Sequence, residues 1–223
     1  MNKYKMLVLV STGCLALSAV AEDGASLEHR WRFKFDIGGT FPEEAKLTEI
    51  GGPVTSGGDL KLSPGLQMDL AAGYRITPWL SVEGELGFTF NSVESVGNWS
   101  YPNSELWQML MMANVVVEYP RGRFVPYAGF GAGGVLSSLS FGNYYDYYYS
   151  SYDGSGTDFV PALQAFAGVR YQFHPQWSLG VVYRFLATAE QKWDVEWWDG
   201  RSFNLAVNSI CIQSVCLVVT WSY

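Results

Sequence analysis

The sequence holds little that could staple it or ligate a metal. It has three cysteines and two histidines in 223 residues. Cys211 and Cys216 are five positions apart, so on one extended strand they face opposite sides, about 16 Å apart and beyond disulfide reach. They read as small apolar fillers, which excludes a redox or metal pair and leaves backbone pairing and burial to hold the fold. Basic residues are also few, 14 Lys and Arg against 21 Asp and Glu for a net charge of −7. No basic stripe forms, which excludes a nucleic-acid partner. Beyond residue 21 no run approaches the roughly 18 apolar residues of a membrane-spanning helix. The chain is then either soluble or crosses a membrane as strands.

What is present begins with a leader. Lys3 and Lys5 precede apolar stretches at Met6–Val10 and Leu15–Val20, and Ala19-Val20-Ala21 is a cleavage site of A-x-A type. Residues 1–21 are expected to be a signal peptide, with one domain over 22–223, 202 residues (223 minus 21). Ser11-Thr12-Gly13-Cys14 offers an alternative, lipidation at Cys14, but Ser11 stands where such a box usually carries Leu. Losing two lysines takes the mature chain from −7 to −9.

The remainder alternates with period two. Trp31, Phe33, Phe35 and Ile37 oppose Arg30, Arg32, Lys34 and Asp36. Leu66, Met68, Leu70, Ala72, Tyr74 and Ile76 oppose Gln67, Asp69 and Arg75; Val82, Leu86, Phe88 and Phe90 oppose Glu83 and Glu85. Similar rows run over 107–119, 163–173, 179–187 and 215–223, while 124–137 is Gly-rich and gives no clear register. Three short turns (77–79, 120–123, 174–176) alternate with four long polar stretches at about 42–62, 92–104, 138–159 and 189–207. Two unlike ends on one sheet predict an all-β fold, an eight-stranded antiparallel up-and-down transmembrane β-barrel with its short turns in the periplasm.

The wet face separates this from a soluble barrel. Tyr74, Tyr119, Phe173 and Tyr223 lie on the apolar face toward the short turns, and Phe90, Trp107 and Phe185 toward the loops, like interfacial girdles. The polar face carries five acids (Asp36, Asp69, Glu83, Glu85, Glu118) and six bases (Arg30, Arg32, Lys34, Arg75, Arg170, Arg184). Such balance in an acidic chain suits a lumen of paired side chains, because an unpaired buried charge is costly. Arg32, Asp69, Arg75, Glu83, Glu85, Glu118, Arg170 and Arg184 are the predicted ion-pair network, and the surplus negative charge falls to the loops.

Val125-Pro126-Tyr127-Ala128-Gly129-Phe130-Gly131-Ala132-Gly133, Gly168-Val169-Arg170-Tyr171-Gln172-Phe173 and Trp177–Phe185 resemble the small outer-membrane β-barrel proteins of Gram-negative bacteria, in particular the opacity-protein and OmpA-type eight-stranded barrels. Trp221 and the terminal Tyr223 are similar to the C-terminal signal read by the outer-membrane assembly machinery. The resemblance implies location in the bacterial outer membrane, contact with its lipids and lipopolysaccharide, a monomer, and no cofactor. Eight strands enclose a lumen just wide enough for side chains to fill, so a plug of ion pairs is expected.

No catalytic residues are predicted. His29 and His174 fall at the expected periplasmic end, and neither stands near a Ser nucleophile with an orienting acid. Asp153-Gly154-Ser155-Gly156-Thr157-Asp158 lacks the acidic spacing of a calcium loop, so no metal site is expected. The long stretches carry the distinctive chemistry: Tyr145, Tyr147, Tyr148 and Tyr149 in one, Trp193, Trp197 and Trp198 in another. Tyr with Ser and Gly suits an adaptable recognition surface; packing within an outer girdle is the plainer alternative. The expected role is non-enzymatic, in surface structure with adhesion or recognition through these loops. A narrow porin and a lipid A-modifying enzyme are the alternatives.

Overall fold

The computed structural model describes residues 30–51, 58–97, 99–100, 104–145, 151–197 and 202–223; the leader and His29 lie outside them. The described residues form thirteen strands: β1 (Trp31–Pro42), β2 (Ala45–Ile50), β3 (Asp59–Leu62), β4 (Gly65–Thr77), β5 (Leu80–Val96), β6 (Trp99–Ser100), β7 (Glu105–Glu118), β8 (Phe124–Tyr145), β9 (Ser151–Gln172), β10 (Trp177–Thr188), β11 (Gln191–Trp197), β12 (Ser202–Val207) and β13 (Cys211–Ser222). No helix occurs among them.

All pairings are antiparallel, and eight strands pair in a ring: β1, β4, β5, β7, β8, β9, β10 and β13. β13 returns to β1, in register from Arg32 opposite Ser222 to Pro42 opposite Ile212. A closed ring leaves no edge with unpaired backbone groups, the condition for placing strands in lipid.

The sequence pattern predicts eight strands joined by loops; eight strands form the ring, and five further segments, β2, β3, β6, β11 and β12, correct the expectation that the long stretches are loop. The stretches 42–62 and 189–207 are largely strand, folded as β2, β3, β11 and β12. These continue the sheet past breaks at 43–44, 63–64, 189–190 and 208–210. A second course of pairings runs β5–β3–β2–β12–β11–β9, while β5, β7, β8 and β9 belong to both courses. Most of 138–159 is strand as well, since β8 and β9 each run 22 residues. At ~3.3 Å per residue such a strand extends about 70 Å, roughly twice the 9–11 residues that cross a bilayer.

Alternation persists through both courses, but its sense inverts. In the lower course, toward the short turns, Trp31, Phe33, Phe35 and Ile37 are exposed while Arg32, Lys34 and Asp36 are buried. In the upper course Ala45, Leu47, Trp193 and Val195 are buried, and Lys46, Thr48, Lys192, Asp194 and Glu196 face outward. β2 and β11 therefore carry no outward apolar row and resemble polar loop in sequence. The upper interior is a hydrophobic core that includes Leu47, Leu60, Val96, Leu139, Trp193 and Leu205. It descends to Leu110, Met112, Leu186 and Ile212, where polar residues take over.

Candidate functional site: the lumen and its two rims

The lower lumen is built from side chains that the pleat turns inward from every strand of the ring. Nearest the short turns, Glu118 on β7 holds Arg170 on β9 in a two-pronged pair, Nη1 to Oε1 and Nη2 to Oε2, each at 2.7 Å. Arg32 on β1 also donates to Glu118 Oε1, and to Ser81 Oγ. Lys34 Nζ donates to Glu83 Oε2 at 2.5 Å, and Arg32 lies 3.7 Å from Glu83. Charge-assisted, bidentate geometry of this kind is the strongest available to such pairs.

One layer further in, three carboxylates surround Arg184 on β10. Its Nη1 donates to Glu85 Oε1 at 2.5 Å, and its Nη2 to Asp36 Oδ2. Asp69, directly opposite Asp36 across β1 and β4, is 3.7 Å from the same guanidinium. Neutral amides complete the layer: Asn114 donates to Glu85 at 2.8 Å, Gln164 to Asn114 at 2.7 Å, and Gln67 to Asp69 at 2.8 Å. Above it, Asn91 donates to Thr40 at 2.7 Å and Thr89 to Gln108 at 3.3 Å. The ions and amides thus lie below the apolar core, and they share the lower interior with a smaller apolar cluster that includes Val116, Phe166, Val182 and Val218.

Of the eight predicted network residues, the structure joins seven in these contacts. Arg75 is the exception. It is half-buried beside Arg32, Glu118 and Arg170, makes no ion pair among the described residues, and leaves its Nε without a partner. Arg30 corrects the charge count: it is exposed and donates to Tyr74 Oη at 3.1 Å outside the ring. The lumen therefore holds five acids and five bases. They are unevenly placed, with Arg32, Lys34, Arg75 and Arg170 against Glu83 and Glu118 below, and Asp36, Asp69 and Glu85 against Arg184 above.

The expected recognition residues fare differently. Trp193 is a correction: it is fully buried in the upper core, with Nε1 donating to Ser137 Oγ at 3.0 Å, so it offers no surface to a ligand. Its inward place follows from alternation with Lys192 and Asp194, a signal present in the sequence but masked by reading 189–207 as loop. Trp198 and Tyr147, Tyr148 and Tyr149 lie outside the described residues, as do the side chains of Tyr145 and Trp197. His174 is exposed at a short turn and accepts from the Gln176 backbone N–H at 3.3 Å. Among the described residues no three His, Cys, Asp or Glu side chains gather as a metal site. Trp221 stacks on Phe33 at 5.6 Å, and Tyr223 closes the seam through backbone bonds with Trp31 at 2.8 and 3.0 Å. On the strand that carries the predicted row of 107–119 the inward face is mixed: Leu106, Leu110, Met112 and Val116 are buried there together with Gln108, Asn114 and Glu118.

The rims differ in charge. At the long end Glu43, Glu44, Glu49, Asp59, Glu94, Glu105, Asp158, Glu190, Asp194 and Glu196 stand against Lys46, Lys61 and Lys192, ten acids to three bases among the described residues. Lys61 donates to Glu44 at 2.8 Å, and this bond holds its ammonium above the ordinary lysine value. The short-turn end presents Arg30, Arg121 and Arg123, with no exposed Asp or Glu among the described residues.

A closed antiparallel sheet that is apolar outside and ionic inside is a membrane-spanning β-barrel. The chain belongs to the outer-membrane β-barrel proteins: the family model described as "Outer membrane protein beta-barrel domain" matches residues 7–209. Its place is the bacterial outer membrane. Among solved structures it is similar to Neisserial surface protein A, with 15% identity, TM-score 0.56, and coverage of 90% of this chain and 100% of that one. It is also similar to the outer-membrane protein AlkL (18%, TM-score 0.58, 92% and 94% covered). The outer-membrane protease OmpT of Escherichia coli shares 10% identity at TM-score 0.52, with 87% and 97% covered. At these identities the likeness is one of fold. A search of curated proteins finds no match.

Proposed function

We propose that the chain is one eight-stranded up-and-down transmembrane barrel, four of whose strands break where they leave the bilayer. The short turns lie in the periplasm, and the upper course stands outside the cell among lipopolysaccharide. Its role is that of a sealed, non-enzymatic surface scaffold that carries the loop tips for adhesion or recognition. The observation that carries this reading is the double filling of the interior, ion pairs below and an apolar core above. Arg32, Gln108, Leu110, Leu139, Trp193 and Leu205 have at most 1% exposure. A continuous water path would have to pass both layers. Location of His174 at a periplasmic turn, away from any upper-rim site, supports the non-enzymatic reading. Single-channel recording in planar bilayers tests the sealed lumen. The expected trace is flat; steady unitary openings would establish the porin alternative.

A further inference from the structure

Exposed cations at the two rims are held in different ways. At the long end two of the three described lysines have an acidic partner, Lys61 with Glu44 at 2.8 Å and Lys192 with Glu190 at 3.6 Å, while Lys46 has none among the described residues. At the short-turn end no exposed arginine has an acidic partner among the described residues. Each instead rests on an outward tyrosine. Arg30 donates to Tyr74 Oη, Arg123 Nη1 donates to Tyr171 Oη at 3.5 Å, and the Arg121 guanidinium sits 5.0 Å over the Tyr119 ring.

Arg121 and Arg123 form the denser site. They flank Gly122, whose φ of 77° lets the turn from β7 to β8 double back tightly between them. Tyr119 and Tyr171 close the strands on either side, and Phe124 packs on Tyr171 at 4.9 Å. Two guanidinium groups are thus placed beside aromatic rings on the outer wall, at the level where the apolar band ends. Their contacts are with exposed tyrosines, not with the buried residues of the lumen. Glu118 faces inward and is spent on Arg32 and Arg170, so it cannot neutralise them. An arginine at this depth meets lipid phosphodiesters, for which its fork of donors is well matched.

We propose that Arg121 and Arg123, with Tyr119 and Tyr171, form a binding site for the headgroup of an anionic phospholipid in the periplasmic leaflet. The leaflet assignment rests on the orientation proposed above; the chemistry of the site does not. Native mass spectrometry of the full chain in mixed micelles tests it, with phosphatidylglycerol against phosphatidylcholine as probes. The wild type should retain phosphatidylglycerol preferentially. R121Q/R123Q should weaken that retention by about fivefold to thirtyfold, since each cation near an anionic surface is worth roughly fivefold. R121K/R123K keeps the charge but loses the fork and the flat face over Tyr119, and should show a preference between those of the wild type and R121Q/R123Q. Equal retention of both lipids by the wild type, or an unchanged preference in R121Q/R123Q, overturns the site. Orientation is read separately: a Gln176→Cys variant in a Cys211→Ser background should react with an impermeant maleimide only in permeabilised cells. Labelling of intact cells overturns the leaflet assignment while leaving the micelle result to stand or fall alone.

Discussion

Replacing Glu118 probes the lumen where it is most tightly tied. Glu118 accepts two bonds from Arg170 at 2.7 Å and one from Arg32, and both arginines are buried. Around it the lower layer holds four bases and two acids; without its charge the ratio becomes four to one. Arg170 then has no acidic partner among the described residues, and Arg32 keeps only Glu83 at 3.7 Å. Breaking a buried pair by removing one partner costs about 3–5 kcal/mol, so Glu118→Gln should lose that much despite its nearly unchanged shape. The paired variant Glu118→Gln/Arg170→Met removes the stranded cation. It should recover part of the loss, with a coupling of about 0.5–3 kcal/mol in a double-mutant cycle. Reversible urea unfolding in lipid vesicles, followed by tryptophan fluorescence, measures the parent, both variants and the Arg170→Met single variant that completes the cycle. A loss below about 1 kcal/mol in Glu118→Gln would mean that the pair behaves as a solvated surface pair, and the reasoning from a buried, mutually paired lower lumen would be refuted.

Trp193→Ala in the same assay should cost about 3–5 kcal/mol, as for a large aromatic removed from a core, and it also strips Ser137 of its indole donor. A cost near zero would put Trp193 back on the surface. Two glycines offer a paired test of inside against outside. A Cβ at Gly131 would lie 1.9 Å from Asn114 Oδ1, whereas one at Gly84 meets nothing within 4 Å. Gly131→Ala should therefore destabilise by about 1–3 kcal/mol, and Gly84→Ala should stay within about 0.5 kcal/mol of the parent; reversal of that order on urea unfolding contradicts the register of β5, β7 and β8.

The lower course was legible because membrane strands invert the usual rule, and an inverted pattern with charged residues on one face is rare enough to stand out. Arg32, Asp69, Glu83, Glu85, Glu118, Arg170 and Arg184 could be assigned to one lumen from parity alone. Which acid meets which base could not, because partners such as Arg184 and Asp36 are 148 positions apart and are brought together only by ring closure. Arg30 shares the parity of Arg32 but precedes β1 by one residue, so the pleat does not turn it inward. The upper course was hidden for a different reason. Its strands return to the soluble rule, polar outside and apolar inside, and they are short; β2 and β12 have six residues each and β11 seven. Lys192-Trp193-Asp194-Val195-Glu196 alternates as plainly as any lower strand, but with opposite meaning.

That change of sense defines the two-course barrel, and lipid exposure measures it directly. Nitroxides placed singly at Phe90 and Phe185, just below the breaks, and at Glu94 and Lys192, just above, can be read by electron paramagnetic resonance in phospholipid vesicles of the folded protein. Collision with oxygen should dominate at Phe90 and Phe185, and collision with a water-soluble nickel chelate at Glu94 and Lys192. Oxygen-dominated relaxation at all four positions would place the upper course inside the bilayer and contradict the account.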